Sequence, residues 1–382
     1  MPEWKAIVVL TCLWLMACSP PDKQAAHFQT YLTRVAYVLE VPVPELTPPS
    51  ALTPLPAQRD LELAIPRLSA GLLNALKLKE CDVLGLVAEH NAPAGKSQSA
   101  AGQLAYHLQF QQGLMQCLSH TEDTELSAWL TELIDAKAPL LPRYFWNMIV
   151  AEPEVRAALS PGFHSLPINA QEGYQATLQA FSLFARLAAQ AESYRNQRHN
   201  QSHNLSQNPA ENPIKTPKAS QEESQANTDT AELNQALHGL YKNPYLGELF
   251  YSLQASAGYL EQTNDFLAAL DELNCQGANA IKAERLRNAM QHYYIKDIQA
   301  YLAQLDRQFV ELAPLLAISL TPPAQETTPD TEHIAAVMAD YRQNVGLGLN
   351  SALYVRYRAL TLAHAKLWQR FLKRCELSPK RG

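Results

Sequence analysis

Apolar positions in the second half of the chain recur at alternating steps of three and four residues. Leu246, Leu249, Leu253, Ser256, Leu260, Thr263, Leu267 and Leu270 form one such row. Ile295, Ile298, Leu302, Leu305, Phe309 and Leu312 form a second, and Leu353, Tyr357, Leu360, His364, Leu367 and Phe371 a third. This spacing gathers each row on one helix face, so three helices of similar length are expected to pack along heptad-like seams as a left-handed bundle. An up-down-up arrangement over 234–377 follows. Pro314, Pro322, Pro323 and Pro329 mark 313–330 as a connecting loop.

The first half carries shorter patterns. Phe28, Leu32, Val35 and Leu39 predict a helix over about 25–40. Pro42, Pro44, Pro48, Pro49, Pro54 and Pro56 then predict a stiff, extended spacer. Leu61, Leu68, Leu72 and Leu76 resume helical spacing as far as Cys81, with Pro66 near the start. Residues 82–92 and 99–118 read as a helical hairpin around Pro93-Ala94-Gly95. Helices are also expected at 123–137, with Leu126, Leu130, Leu133 and Ile134 inward, and at 169–192. The stretch 140–150 is short and apolar, with Tyr144, Phe145, Trp146 and Ile149. Residues 195–233 are rich in Asn, Gln and Ser and hold almost nothing large and apolar, so they read as a disordered insertion. His199 and His203 belong to that polar tract rather than to a metal site.

The expected fold class is therefore all-α: a multi-helix bundle with long antiparallel helices, a proline-rich N-terminal spacer and a disordered internal insertion. Its segments are a leader over 1–17, an anchor, short helix and spacer over 18–57, helical halves over 58–194 and 234–377, and a basic tail at 378–382. The 382 residues are 47% hydrophobic and 18% charged, which excludes collagen, a disulfide-dense miniprotein and a wholly disordered chain. A net charge of −6 provides no global basic field, so no nucleic-acid partner is expected.

The leader changes the picture of where the chain works. Lys5 precedes an apolar run from Ala6 to Ala17. As a helix that run would span about 18 Å, short of the ~30 Å hydrocarbon core, so it suits a secretory signal better than a membrane span. Leu15-Met16-Ala17-Cys18 resembles the bacterial lipobox. The resemblance implies cleavage before Cys18 and acylation of its sulfur and amine, palmitate being an expected chain. Ser19, in place of Asp, favours sorting to the outer membrane on its periplasmic side.

Cys12 leaves with the leader and Cys18 carries lipid, leaving Cys81, Cys117, Cys275 and Cys375. Four cysteines in an oxidising compartment allow three connectivities, and none has the CxxC spacing of a zinc or thioredoxin-like motif. The bundle topology selects among them. Cys275 and Cys375 end helices that point to the same pole, and Cys81 and Cys117 bracket a hairpin. Cys81–Cys117 and Cys275–Cys375 are predicted, each contributing about 3–5 kcal/mol on the chain-entropy model.

Several strings together resemble one bacterial family. They are Cys81-Asp82-Val83-Leu84 through Val87-Ala88-Glu89-His90-Asn91, Gly95-Lys96, Gln103-Leu104, Leu114 to Leu118, and Trp146-Asn147. Leu286-Arg287-Asn288 to Tyr293-Tyr294-Ile295, Ile298-Gln299 to Asp306-Arg307, and Trp368-Gln369 to Lys373-Arg374-Cys375 complete the set. The chain is similar to domain of unknown function 3080, a group of proteobacterial lipoproteins, over most of 18–379 apart from about 195–233. It departs where an Arg is expected after Glu89 and His90 stands instead. The resemblance implies the fold and the address and transfers no catalytic residue.

GxSxG, HExxH, P-loop and GxGxxG motifs are missing from the sequence, so no catalytic residue, metal or cofactor is assigned. Glu89, His90 and Asn91 at a helix end, with Lys96 beyond, form the nearest polar constellation. Adjacent helical residues point about 100° apart, which favours capping or a turn over general acid–base work. Trp146, Asn147, His292 and Tyr293 are candidate pocket residues between the halves, set against the plainer reading of aromatic core. From Arg356 to Gly382 eight basic residues stand against one acidic. Arg370, Lys373 and Arg374 are thus candidate headgroup contacts, weighed against a solvated face paired with acidic neighbours. The leading expectation is a non-enzymatic interaction or scaffold lipoprotein with an envelope protein partner, its oligomeric state open. The alternative is a periplasmic ligand-binding or hydrolytic protein.

Overall fold

In a computed structural model, residues 22–68, 78–81, 83–207, 230–323 and 329–377 are described. The leader, Cys18, residues 208–229 within the expected insertion, and the tail at 378–382 lie outside these residues. All regular structure among the described residues is helical. No described helix is long and apolar enough to cross a membrane.

The helix expected from the first leucine row spans Tyr245–Leu267, and all eight row positions through Leu270 are buried. Its partner is a continuous rod of three segments, Ala278–Ala289, a π-helical stretch Met290–Gln299, and Ala300–Ser319. The third helix spans Ala352–Arg374. Arg356 pairs with Glu261 at 2.7 Å and Arg370 with Asp271 at 3.1 Å, so the first and third helices run in the same direction. Tyr357 donates to the Leu302 carbonyl at 2.6 Å, and Tyr294 packs 4.2 Å from the His364 ring. The rod therefore runs antiparallel to both, as the up-down-up reading requires.

Two details differ. Ile295, expected in the seam, is 44% exposed. The π-helical stretch widens the turn, so the buried face passes through Met290, Tyr294 and Ile298 at steps of four. The loop expected at 313–330 begins later, because the rod continues through Pro314 to Ser319. Pro314 lies on the exposed face, where water can solvate the Val310 carbonyl left without an N–H donor, while Leu312, Ala313 and Leu316 stay fully buried. Beyond it a helix absent from the expected plan, Pro329–Tyr341, buries Ile334, Met338 and Tyr341.

The first described helix, α1 (Lys23–Leu39), is inserted into the bundle. Phe28, Tyr31, Leu32 and Val35 are buried, and Asp22 caps its start by accepting from the Gln24 N–H. The proline-rich segment after it forms no helix, and it is no free spacer. Thr47 N–H donates to Gln262 at 2.8 Å, Gln254 donates to Ser50 at 2.8 Å, Asn344 to Thr53 at 2.9 Å, and Arg156 to the Pro56 carbonyl at 2.8 Å. It is a strap laid back across the helices.

The helix expected from Leu61 to Cys81 is also corrected. Residues 62–68 form no helix, 69–77 lie outside the described residues, and Leu78–Cys81 is a single 3-10 turn. Leu61 and Leu63 are buried while Glu62 and Ala64 face out, a period of two in place of 3.6.

The remaining first-half helices are α2 (Leu84–Asn91), a turn at Pro93–Lys96, α3 (Ala100–His120), α4 (Thr124–Lys137), α5 (Leu141–Ala151) and α6 (Pro153–Leu159). The next, α7, runs Tyr174–Gln207, past the expected end at 192, and α8 starts at Thr230. One core joins the two halves, with Leu104, Trp146 and Phe181 in the same cluster as Leu249, Phe309 and Phe371. A smaller cluster of Val83, Tyr106, Phe110, Leu114, Leu126 and Leu130 holds the α2–α3–α4 corner. Cys81 is bonded to Cys117 and Cys275 to Cys375, with Cα atoms 5.0 and 5.2 Å apart.

Candidate functional site

The seven candidate pocket residues occupy three separate places. Trp146 and Asn147 sit on α5, whose first turn places Pro142 where a missing N–H costs nothing. The Trp146 indole N–H donates to the Leu61 carbonyl at 2.7 Å. Asn147 accepts from Leu63 N–H at 2.8 Å and donates to the Leu63 carbonyl at 2.9 Å, while Arg143 donates to the Ala64 carbonyl at 2.9 Å. One helix face thus acts as the neighbouring strand for the strap. These side chains hold backbone.

His292 is exposed on the π-helical stretch, and Tyr293 is half-buried beneath the Arg34 guanidinium of α1 at 5.5 Å. The ring that enters the core there is Tyr294. Glu89 and Asn91 are exposed at the end of α2. His90, the third member of that trio, turns inward and stacks on Tyr106 with ring centroids 3.8 Å apart.

His90 opens onto a cluster of titratable groups that sequence reading did not assemble. His107 stacks on Tyr144 at 3.8 Å and meets Tyr106 edge-on at 4.8 Å. The Lys137 ammonium, at the end of α4, lies 3.2 Å from His107 Nδ1 and 4.8 Å from the centre of the Phe110 ring. Both residues are buried. Burial, then the charges of Lys137 and His90, hold His107 down at about 2, so its imidazole is neutral. Burial also lowers Lys137 to about 8. His90 is lowered by burial and partly restored by a hydrogen bond with Gln98, and burial lifts Tyr106 to about 12. Lys137, at about 8, remains mostly protonated at pH 7 and donates to the neutral His107 imidazole. The one available signal was that His107 stands three residues after Leu104 and four before Gln111, at core spacing.

A second polar group is built into the bundle seam. His364 is fully buried, with Nδ1 2.7 Å from Asn264 Oδ1 and Nε2 3.3 Å from the Tyr31 hydroxyl. Trp368 donates to that hydroxyl at 2.7 Å and approaches Nε2 at 3.2 Å. The network assigns the proton to Nδ1. Burial lowers His364 to about 3.

The basic carboxyl-terminal face is largely paired. Arg356 meets Glu261, Arg358 meets Asp306 at 3.1 Å, and Arg370 and Arg374 converge on Asp271 at 3.1 and 3.7 Å. Arg374 also donates to the Leu270 carbonyl, and Lys373 is exposed. This cluster shares the Cys275–Cys375 pole with the end of α1, where Glu40 pairs with Lys282. The start of α1 is at the other end, about 26 Å away for a helix of 17 residues. No group of three or more metal-ligating side chains occurs among the described residues.

A family model described as protein of unknown function (DUF3080) matches residues 28–210 and 199–379. No curated protein and no solved structure matches the chain.

Proposed function

We propose, for a chain that belongs to the DUF3080 family of proteins of unknown function, the role of a lipid-anchored interaction protein of the bacterial envelope. It is held at the outer membrane through Cys18, faces the periplasm and works through contacts with an envelope protein. The observation that carries this reading is the position of α1. It starts at Lys23, five residues after Cys18, and its buried face is part of the core. Five residues reach at most about 18 Å, so lipid on Cys18 would hold the folded body against the bilayer. The proline-rich strap then serves cohesion rather than distance. With the bilayer at the start of α1, Arg370 and Arg374, which pair with Asp271, would lie at the far pole of the bundle.

The test is metabolic labelling with an alkyne palmitate, together with crosslinking and mass spectrometry of the tagged protein in intact cells. Label on the wild-type chain, absent from Cys18→Ala, with a stoichiometric partner lost in that variant, is the expected result. An unlabelled chain, or recovery of the protein alone, would refute it.

One observation favours a second reading, a periplasmic ligand-binding or hydrolytic protein. The Lys137 ammonium lies 3.2 Å from His107 Nδ1 in a buried corner, where burial lowers it to about 8. Metabolite screening by thermal shift, with a response lost in Lys137→Met, would support it.

A further inference from the structure

The loop between α6 and α7 is tightly fixed yet presents apolar side chains to solvent. Gly162 N–H donates to the Gly247 carbonyl at 2.9 Å, in a backbone approach so close that a Cβ at Gly162 would lie 2.8 Å from backbone atoms of Gly247 and Glu248. Leu166 N–H donates to Ser252 at 2.8 Å, Asn169 N–H to Gln304 at 2.6 Å, and Gln308 donates to the Ala170 carbonyl at 3.0 Å. Between these fixed points Phe163 is 85% exposed and Ile168 is 40% exposed. A tied loop cannot fold Phe163 inward, so the ring is held out in water at an energetic cost.

The same loop is joined to the start of α1. The Ser165 hydroxyl lies 2.7 Å from both Asp22 Oδ2 and Gln24 Oε1. Phe163 is thus two residues from a side chain that touches the residue preceding α1. The chain ahead of Asp22 has four steps to Cys18, about 14 Å when extended. We propose that this loop is the edge of the protein that meets the bilayer, with Phe163 entering the headgroup–acyl boundary beside the modified amino terminus.

This inference rests on lipidation at Cys18 as proposed above. Lys23 and His164 are exposed here, and so is Glu172, with Asp22 half-buried. With the signs mixed, attraction to anionic lipid does not position the loop. The apolar ring does, and an aromatic side chain suits the interfacial zone.

The test uses the full lipidated chain in phosphatidylethanolamine–phosphatidylcholine vesicles, with Phe163→Trp read by fluorescence against bromine-labelled acyl chains. Ile281→Trp, at a 60% exposed site on the helix after Cys275, is the control. After subtraction of the native tryptophans, the expected result is blue-shifted emission from Trp at 163, quenched by shallow bromines, with the control unshifted and unquenched. If mass spectrometry finds lipid on Cys18 and position 163 is neither shifted nor quenched, the loop contact is wrong and the anchor reading stands. If Cys18 carries no lipid, both fail.

Discussion

Lys137 and His107 place an amine and an imidazole in one buried corner, and no carboxylate among the described residues forms an ion pair with Lys137. An unpaired buried ammonium opposes folding, because its hydration is lost without a counter-charge. The folded chain releases the Lys137 proton at about 8, whereas an unfolded Lys holds it to about 10.4. Stability therefore rises with pH across that window, since the unfolded state there binds more protons. Lys137→Met should stabilise the protein by about 1–3 kcal/mol at pH 7, with the gap narrowing toward pH 10 in urea melts. An equal effect at both pH values would contradict the burial account. His364, neutral in the fold down to about 3, works at the acid end. Its contribution is complete above about 6.5 and is lost as pH falls toward 3. The slope of stability against pH over that window should flatten in His364→Gln. Neither residue announced this in the sequence, where His364 was one more position in a seam and Lys137 the last residue of a helix.

Among elements, the strap shows how a pattern can be read with the wrong period. The leucines from Leu61 onward fit a helix on paper, yet Leu61 and Leu63 alternate with exposed neighbours because Asn147, Trp146 and Arg143 supply the partners a strand would have. Asn147→Ala leaves the Leu63 N–H and carbonyl without these partners and should cost about 1–3 kcal/mol. Limited proteolysis should then cut within 57–68 first, and an unchanged digestion pattern would show that the strap is held elsewhere. The π-helical stretch makes the same point for phase. The row from Leu302 to Leu312 was legible because it is regular helix, while Ile295 fell out of register across a widened turn that residue spacing does not reveal.

At the scale of the molecule, Cys275–Cys375 closes a span of 100 residues that contains the whole rod and the third helix. On the chain-entropy model a loop of that length contributes about 4–5 kcal/mol. The double variant Cys275→Ser, Cys375→Ser should lose about that much in denaturant melts, and the Cys81–Cys117 pair, spanning 36 residues, less. Equal losses would argue that strain or residual structure, rather than loop length, sets the contribution. Because one core joins the halves, a single unfolding transition is expected in each case.

The sequence by itself determined the helical class, the three seams, the up-down-up order and both cysteine pairs. These follow from spacing along one helix or from the pole at which a helix ends, and both are local properties of the chain. Tertiary structure alone decided that α1 fills the core, that the proline-rich segment lies across the bundle, and that His90, Tyr106, His107, Lys137 and Tyr144 meet. Those outcomes depend on which distant backbone groups find a partner and which side chains lose water together. The residues concerned come from separate stretches of chain, so no window of sequence contains the answer.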